Sequence, residues 1–351
     1  MRDRSIDVGR GLLVIAMVYG HVMQFFGDSQ IFPLVGKLIN VINLVVFPTF
    51  VFYFGATAVL AYLKKPYMSA LPGMARTALR SYAVFCLSGI GYRVLRENKA
   101  FAVGTVRRVM QLSDIPGWSE FLIAFAIYGL LLIVGYAVFD YLSRRPVASL
   151  IVSAACVCAC LFVPYGRIST HLALLIGGRD FAYFPVVQYM PYFLAGMLFA
   201  QGDRCMRKGL MLVSVLCSLG GVAHWHFFGF PNRFPPEWGW ILLPAALVSV
   251  VVLLGRAISA LAGLGIGKVA DALCGVLGHF GGASLYYLLG SNLVLFTLAG
   301  KGAAPAMARK SVLPWTLPSQ SPQGAACWAA VLLLALWFMA RLSGRGKGGK
   351  A

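Results

Sequence analysis

The stretch Asp7-Val-Gly-Arg-Gly-Leu-Leu-Val-Ile-Ala-Met-Val-Tyr-Gly-His21 is apolar enough to enter a lipid bilayer, yet it carries Arg10 near its start and a histidine at its end. The eleven residues from Arg10 to His21 turn a helix by about 1100°, only about 20° more than three full turns. The two side chains therefore share one helix face, roughly 16 Å apart along the axis. With Arg10 at a membrane interface, His21 lies near mid-bilayer, where an ionisable group usually faces a cavity or a neighbouring helix.

The composition of the whole chain indicates a polytopic membrane protein. Of its 351 residues, 60% are hydrophobic and 12% are charged, and the mean hydropathy is +0.79. Soluble domains average about 45–50% apolar residues. We therefore predict an all-α bundle of transmembrane helices. Because no small-x-small cleavage site precedes Phe26, we expect the first apolar segment to be a retained span rather than a cleaved signal peptide.

The net charge of +19 arises from 30 Lys and Arg against 11 Asp and Glu. In a membrane protein such charge is typical of basic cytoplasmic loops and of contact with anionic lipid, so we expect membrane lipids as partners and no nucleic acid. Part of the charge could hold an anionic substrate. The eight cysteines include no Cys-x-x-Cys pair, and we expect neither a metal site nor a disulfide.

Ten spans can be drawn at about 20 apolar residues per crossing. They are Gly9–Phe26, Ile39–Leu63, Arg76–Leu95, Phe121–Leu142, Val147–Val163, Phe184–Ala200, Leu210–Phe228, Trp238–Leu254, Phe280–Ala299 and Ala325–Leu342. We interpret Ile258–Leu277, which carries four glycines, Lys268 and Asp271, as an interfacial segment on the cytoplasmic side. An extra span there would invert the predicted membrane orientation of every later segment.

Loop charges predict that both termini are cytoplasmic. With the N-terminus inside, the inner segments carry more Lys and Arg than the outer ones, as the positive-inside rule requires. The exception is the basic outer loop Arg93–Glu120, and long loops follow that rule less well. We expect residues 1–342 to form a single transmembrane domain. Residues 343–351 are a short, basic, glycine-rich tail that we expect to be disordered.

Two outer loops have a second interpretation. The basic charge of Arg93–Glu120 could hold an anionic glycan or a lipid headgroup, or the loop could simply be solvated. The stretch His224–Trp240 is dense in aromatic residues, as in the aromatic belt at a membrane interface, with sugar stacking as an alternative. His224 and His226 are two residues apart, so in a helix their side chains would lie about 200° apart around the axis.

Few residues in the apolar segments could carry chemistry. His21 could be a general base, although a structural histidine bonded between helices is the alternative. Arg10, with Arg76 and Arg80 on one face of the third span, could clamp phosphates, or the latter two could serve only as positive-inside anchors. Asp7 could pair with Arg10, or its negative charge could simply stabilise the N-terminus of the helix. A phosphate-rich acyl donor such as acyl-CoA would then run along the first helix to His21, an arrangement that the spacing permits but does not show.

Several stretches resemble acyltransferase family 3, membrane-bound O-acyltransferases that act on carbohydrates and open with an Arg-Gly-Leu helix and an Arg-x10-His motif. Arg10 and His21 match that motif. Further stretches are similar to later family spans, and the likeness covers nearly the whole chain. These stretches are Val46–Leu60 with Gly55, the pair Arg76 and Arg80, Tyr192–Ala200, and Phe280–Ser291. The first helix also resembles membrane sugar N-acetyltransferases of the lysosomal type.

The resemblance implies ten spans in a bacterial inner membrane. It implies transfer of an acetyl or succinyl group from cytoplasmic acyl-CoA to a hydroxyl of a cell-envelope glycan or glycolipid. Acyl-CoA would be a co-substrate, and no cofactor would be tightly bound. His21 would be catalytic, Arg10, Arg76 and Arg80 would hold the donor, and Asp7 would support them.

The sequence departs from the family at two points. Phe54 stands where a serine often precedes the glycine, and Leu-Gly-Ser291-Asn stands where many members have a histidine. These departures leave the acceptor and the partners of His21 open. A transporter or flippase for a polysaccharide or glycolipid is the alternative function, and a structural or sensor membrane protein is a third.

Overall fold

A computed structural model describes residues 3–263, 268–299 and 319–342. Within these ranges the chain forms helices and no β-strand, apart from an isolated bridge between Gly27 and Gln320. The helices are α1 Arg4–Phe26, α2 Pro33–Ala58, α3 Tyr67–Gly91, α4 Val103–Met110, α5 Glu120–Val134, α6 Tyr136–Arg144, α7 Pro146–Phe162, α8 Thr170–Ile176, α9 Val186–Gln201, α10 Arg204–Phe228, α11 Trp238–Leu242, α12 Ala245–Gly263, α13 Lys268–Gly282, α14 Ser284–Ala299 and α15 Pro322–Leu342. The predicted tail, residues 343–351, lies outside the described residues.

Five helical segments in the described ranges are long and apolar enough to cross a membrane: Arg4–Phe26, Pro33–Leu63, Arg204–Phe228, Trp238–Ala262 and Pro322–Leu342. Two bent helix pairs raise the number to as many as seven if each pair is one span. The predicted class, an all-α membrane protein, is confirmed at this level.

Two predicted spans are not the straight helices that the hydropathy suggests. Phe121–Leu142 is broken at Gly135, where α5 and α6 meet at 91°, and Phe280–Ala299 joins α13 to α14 at 75° around Ala283. The second arm of the first pair is short and carries an exposed ion pair between Asp140 and Arg144, which suits a polar surface better than lipid.

The predicted interfacial segment Ile258–Leu277 is likewise not one element. Its start completes α12, its end belongs to α13, and residues 264–267 are outside the described residues. The α13 helix packs against the first half of α1. Gly281 lies against the backbone of Asp7, and the backbone of Leu277 lies against Gly11.

Glycines set the closest helix crossings. A methyl group on Gly11 would lie 2.1 Å from the carbonyl oxygen of Leu277, and one on Gly281 would lie 1.8 Å from that of Asp7. The α2–α9 crossing uses a reciprocal pair: methyl groups on Gly55 and Gly196 would lie 2.0 and 1.9 Å from carbonyl oxygens of the facing helix. Small residues let membrane helices approach closely, so these glycines hold α1 and α2 in the bundle.

The bounds of α1 place Arg10 and His21 along the helix. The helix begins at Arg4, six residues before Arg10, and ends at Phe26. Arg10 and His21 therefore lie on either side of its midpoint, about 7.5 and 9 Å from it. Arg10 is inside the helix rather than at its edge, and His21 is nearer the end where Trp118 and Arg233 reach the bundle.

Candidate active site along the first helix

The Arg10 side chain lines a cavity of about 210 Å³ between α1, α2, α3, α5 and α14, here called the arginine cavity. Its guanidinium donates from Nη2 to Oγ1 of Thr57 at 2.9 Å and to the carbonyl oxygen of Tyr53 at 3.4 Å. The Tyr62 hydroxyl and Oγ1 of Thr77 lie 2.7 Å apart across the same cavity. The cavity thus combines a cation and hydroxyl groups with aromatic walls.

The other predicted residues lie around this cavity but do not line it. Arg76 and Arg80 are exposed on α3, whose Thr77 and Ser81 do line it. Arg80 is about 60° around the helix from Thr77 and Arg76 about 100°. The third predicted residue, Asp7, is half-buried in the first turn of α1.

His21 is 9% exposed and lines a second, smaller cavity of about 50 Å³, here called the histidine cavity. Its walls come from α1, α2, α5 and two loops. They are Met17, Gly20, Gln24, Ile42, Asn43, Val46, Phe47, Phe50, Phe121, Phe184 and Arg233.

The two cavities lie on one face of α1 and share three lining residues, Met17, Phe50 and Phe121. This is the face that the spacing of Arg10 and His21 predicts. The arrangement offers an elongated molecule a cation near one end and an imidazole near the other, with three apolar side chains between them.

A chain of polar contacts fixes the wall of the histidine cavity. The Gln24 amide donates to Oδ1 of Asn43 at 2.9 Å, and Nε1 of Trp118 donates to Oε1 of Gln24 at 2.7 Å. These bonds join α1, α2 and the segment before α5, so each polar group is held in one orientation.

A second group of polar side chains lies on the other side of His21. The Asn292 amide donates to Oγ of Ser88 at 3.1 Å and to the carbonyl oxygen of Trp118 at 3.0 Å, and Oγ of Ser119 donates to Oγ of Ser88 at 2.8 Å. The Asn292 side chain also interacts with the His21 ring. Two buried atoms of this group, Nδ1 of His21 and Oδ1 of Asn292, have no regular hydrogen bond to any described residue.

A partly buried arginine, Arg233, lies beside His21, and a buried acid, Glu120, interacts with that arginine. The Arg233 guanidinium lies 5.0 Å from the Phe184 ring centroid and 4.6 Å from that of Phe234, and it interacts electrostatically with Glu120 and His21. Oε2 of Glu120 and Nε of Arg233 are buried without a hydrogen-bond partner in the described part of the chain. Burial lowers the pKa of the Arg233 guanidinium, and the charges of Tyr189 and Glu120 oppose that shift.

Sequence reasoning missed Asn292, Glu120 and Arg233. Asn292 is the last residue of the stretch Leu-Gly-Ser291-Asn, which differs from the pattern of the resembling family. Glu120 and Arg233 lie in segments that the sequence predicts as loops, although a carboxylate that directly precedes an apolar run is an available signal for a buried acid.

The two loops that we predict to be outer are folded rather than open. Arg93 forms ion pairs with both Glu97 and Asp114, and Lys99 pairs with Glu97 at 3.0 Å, so part of the predicted basic charge is neutralised within the loop. In the aromatic loop, His224 is buried against the Trp238 ring, with Nε2 3.5 Å from Oε2 of Glu237.

No protein-family model, no curated protein and no solved structure matches this chain. The geometry of the arginine and histidine cavities therefore supplies the grounds for a function.

Proposed function

We propose that the protein transfers an acyl group, acetyl or succinyl, from cytoplasmic acyl-CoA to a hydroxyl of a cell-envelope glycan or glycolipid, with His21 as the general base. The observation that carries this proposal is the pair of adjacent cavities on one face of α1, with Arg10 in one and His21 in the other. The alternative is a structural histidine held between helices by its contact with Asn292, and the activity of a His21 variant distinguishes the two.

The donor would lie along α1 with its phosphates toward Arg10 and its thioester near His21, about 16 Å along the helix. Thr57 and the Tyr53 carbonyl hold the Arg10 guanidinium in place, and a planar guanidinium suits bidentate contact with phosphate. Because Arg76 and Arg80 are exposed beside this cavity, they would take the outermost phosphates of the donor. Asp7 would support Arg10 from the first turn of α1.

In the reaction, Nε2 of His21 would remove the proton of the acceptor hydroxyl. The oxygen would attack the thioester carbonyl, the carbon–sulfur bond would break, and the departing CoA thiolate would take the proton back from the imidazole. A base needs a free lone pair on the nitrogen that faces the acceptor. If Nδ1 carries the proton and donates it to Oδ1 of Asn292, the lone pair of Nε2 is free to act as the base. Asn292 is therefore proposed as a positioning residue.

The chemistry requires a membrane arrangement that we also propose: ten spans, both termini cytoplasmic, in a bacterial inner membrane. The five long apolar helices would supply five spans, and the two bent pairs would supply two more if each pair crosses the membrane once. Helices α3, α7 and α9 would supply the other three. Arg10 would then lie toward the cytoplasm that contains acyl-CoA, and His21 toward the outer side, where an envelope glycan can reach it.

The test is thioester consumption. The protein in nanodiscs receives acetyl-CoA or succinyl-CoA with extracted envelope glycans, and release of free CoA is followed. We expect glycan-dependent release that falls at least about 100-fold in His21→Ala, the usual range for loss of a general base. His226→Ala is the matched control, because His226 is exposed on α10. No release with any donor, from protein shown to be folded, would favour the transporter alternative, to be tested by glycolipid flux.

A further inference from the structure

Four basic side chains meet where α10 begins and α12 approaches its end. Arg204, Arg207 and Lys208 of α10 and Arg256 of α12 line a cavity of about 260 Å³. We call these four residues the basic cluster. The guanidiniums of Arg207 and Arg256 each lie 5.3 Å from the ring centroid of Phe199, so the two cations are held near one another.

No carboxylate of the described residues neutralises the basic cluster through a salt bridge. Asp3 lines a neighbouring cavity together with Arg207 and Arg256, but its carboxylate caps α1 by accepting from Ser5. Asp203 likewise caps α10 by accepting from the backbone of Met206. Four cations that lie this close together without a salt bridge to a described carboxylate suit an anionic ligand.

An apolar cleft of about 380 Å³ adjoins the cavity that the basic cluster lines, and Met211 lines both. The cleft lies between α7, α9, α10 and α12. Three of the four serines in its lining bond within the protein, because Ser149 donates to the Leu142 carbonyl and Ser214 bonds Ser249. Its surface is therefore almost entirely hydrocarbon.

The length of the cleft matches one leaflet of a bilayer. It follows the α11–α12 segment from Val252 to Ile241, eleven residues or about 16 Å of helix, against a hydrocarbon core of about 30 Å. The flanking helices α7 and α10 expose large apolar residues such as Ile151 and Leu216, so the cleft is bordered by lipid-facing surface.

We propose that the cleft and the basic cluster together bind one anionic phospholipid, with its phosphate at the cluster and an acyl chain between α7 and α10. Basic pockets between transmembrane helices are suited to anionic headgroups. The site is separate from the arginine cavity. Both adjoin α2, but the cleft is lined by Phe52, whereas Arg10 in the arginine cavity contacts Thr57. The phosphates of CoA are a competing occupant, but they explain only the cluster and leave the cleft unfilled.

The test measures lipid binding to the full-length protein in detergent by native mass spectrometry. Phosphatidylglycerol is compared with phosphatidylcholine of the same acyl chains. The double variant Arg207→Gln/Arg256→Gln should weaken phosphatidylglycerol binding on the order of 30-fold, since each cation contributes about a fivefold effect. Arg145→Gln/Arg167→Gln removes the same charge from exposed positions outside the site and should change binding little.

The apolar half of the site is tested separately. Ala154→Trp places a bulky ring in the cleft from α7 and should reduce phosphatidylglycerol binding at least tenfold, whereas Ala155→Trp, one residue on and outside the lining, should not. Equal binding of both lipids in all variants would overturn the proposal. So would displacement of the lipid by CoA combined with normal binding in Ala154→Trp. Neither readout depends on acyl transfer.

Discussion

Asn292 donates a hydrogen bond of 3.1 Å from its side-chain amide to Oγ of Ser88, across the interface between α14 and α3. A second bond of 3.0 Å runs from the same nitrogen to the Trp118 carbonyl. Both amide hydrogens are therefore used, and Oδ1 is the atom that remains for the His21 ring. Turning the amide over would break both bonds, so the network fixes an acceptor next to the imidazole.

If this acceptor orients His21, Asn292→Leu lowers kcat for acyl transfer by about 10- to 100-fold, while the KM for acyl-CoA stays near its normal value. The reason is that the change disturbs the base and not the arginine cavity. Asn292→Asp retains an oxygen acceptor and should keep clearly more activity than Asn292→Leu. Steady-state kinetics of CoA release measure both constants. Equal losses in the two variants, or a raised KM with normal kcat, would contradict the positioning role.

The hydrogen bond between Arg10 and Thr57 predicts an effect on donor binding. Thr57→Val removes the nearer of the two acceptors for Nη2 of Arg10, and loss of one such bond weakens binding by about 0.5–1.5 kcal/mol. We expect the KM for acyl-CoA to rise about 2- to 10-fold with little change in kcat.

Thr49→Val is the matched control for Thr57→Val. Thr49 and Thr57 both lie on α2 and both bond the carbonyl four residues earlier at 2.7 Å, but only Thr57 also accepts from Arg10. A similar rise in KM in both variants would mean that helix distortion, rather than the arginine contact, causes the effect.

The sequence could predict the relation between Arg10 and His21 because it is local: both lie on one helix, and the helical repeat fixes the angle between them. Asn292 and Arg233 come from distant segments, and only tertiary packing brings them to His21. Periodicity contains no such information. The sequence therefore does not predict which residue accepts from the His21 ring.

Hydropathy and charge counts fail for a related physical reason. A window average over α5 and α6 does not detect the 91° bend at Gly135, since both arms contain enough apolar residues. A count of Lys and Arg in the Arg93–Glu120 loop likewise omits their partners. The pairing of Arg93 with Glu97 and Asp114 depends on how the loop folds.

The close contact of α13 with α1 predicts the effect of two glycine substitutions. A methyl group on Gly281 would lie 1.8 Å from the Asp7 carbonyl oxygen, whereas one on Gly275, in the same helix, meets nothing within 4 Å. Gly281→Ala should lower the free energy of unfolding by about 1–3 kcal/mol through overpacking. Gly275→Ala should leave it unchanged or raise it slightly, because alanine favours helix. Thermal unfolding in detergent measures both, and an unchanged Tm in Gly281→Ala would contradict this packing.

The loop ion pairs predict a pH dependence. Burial raises the pKa of Glu97, but hydrogen bonds from Arg93 and Lys99 outweigh it, so the pKa lies below the ordinary value of 4.5. A carboxylate with a lowered folded pKa stabilises the fold above its unfolded pKa, and the contribution disappears as the pH falls through the folded value. We expect hydrogen exchange in residues 99–113, corrected for the intrinsic rate, to accelerate below about pH 4. Glu97→Gln should exchange quickly at every pH, whereas Asp140→Asn, which changes a carboxylate elsewhere, should behave as the unchanged protein does. Full protection of the loop at pH 3 would refute the role of Glu97.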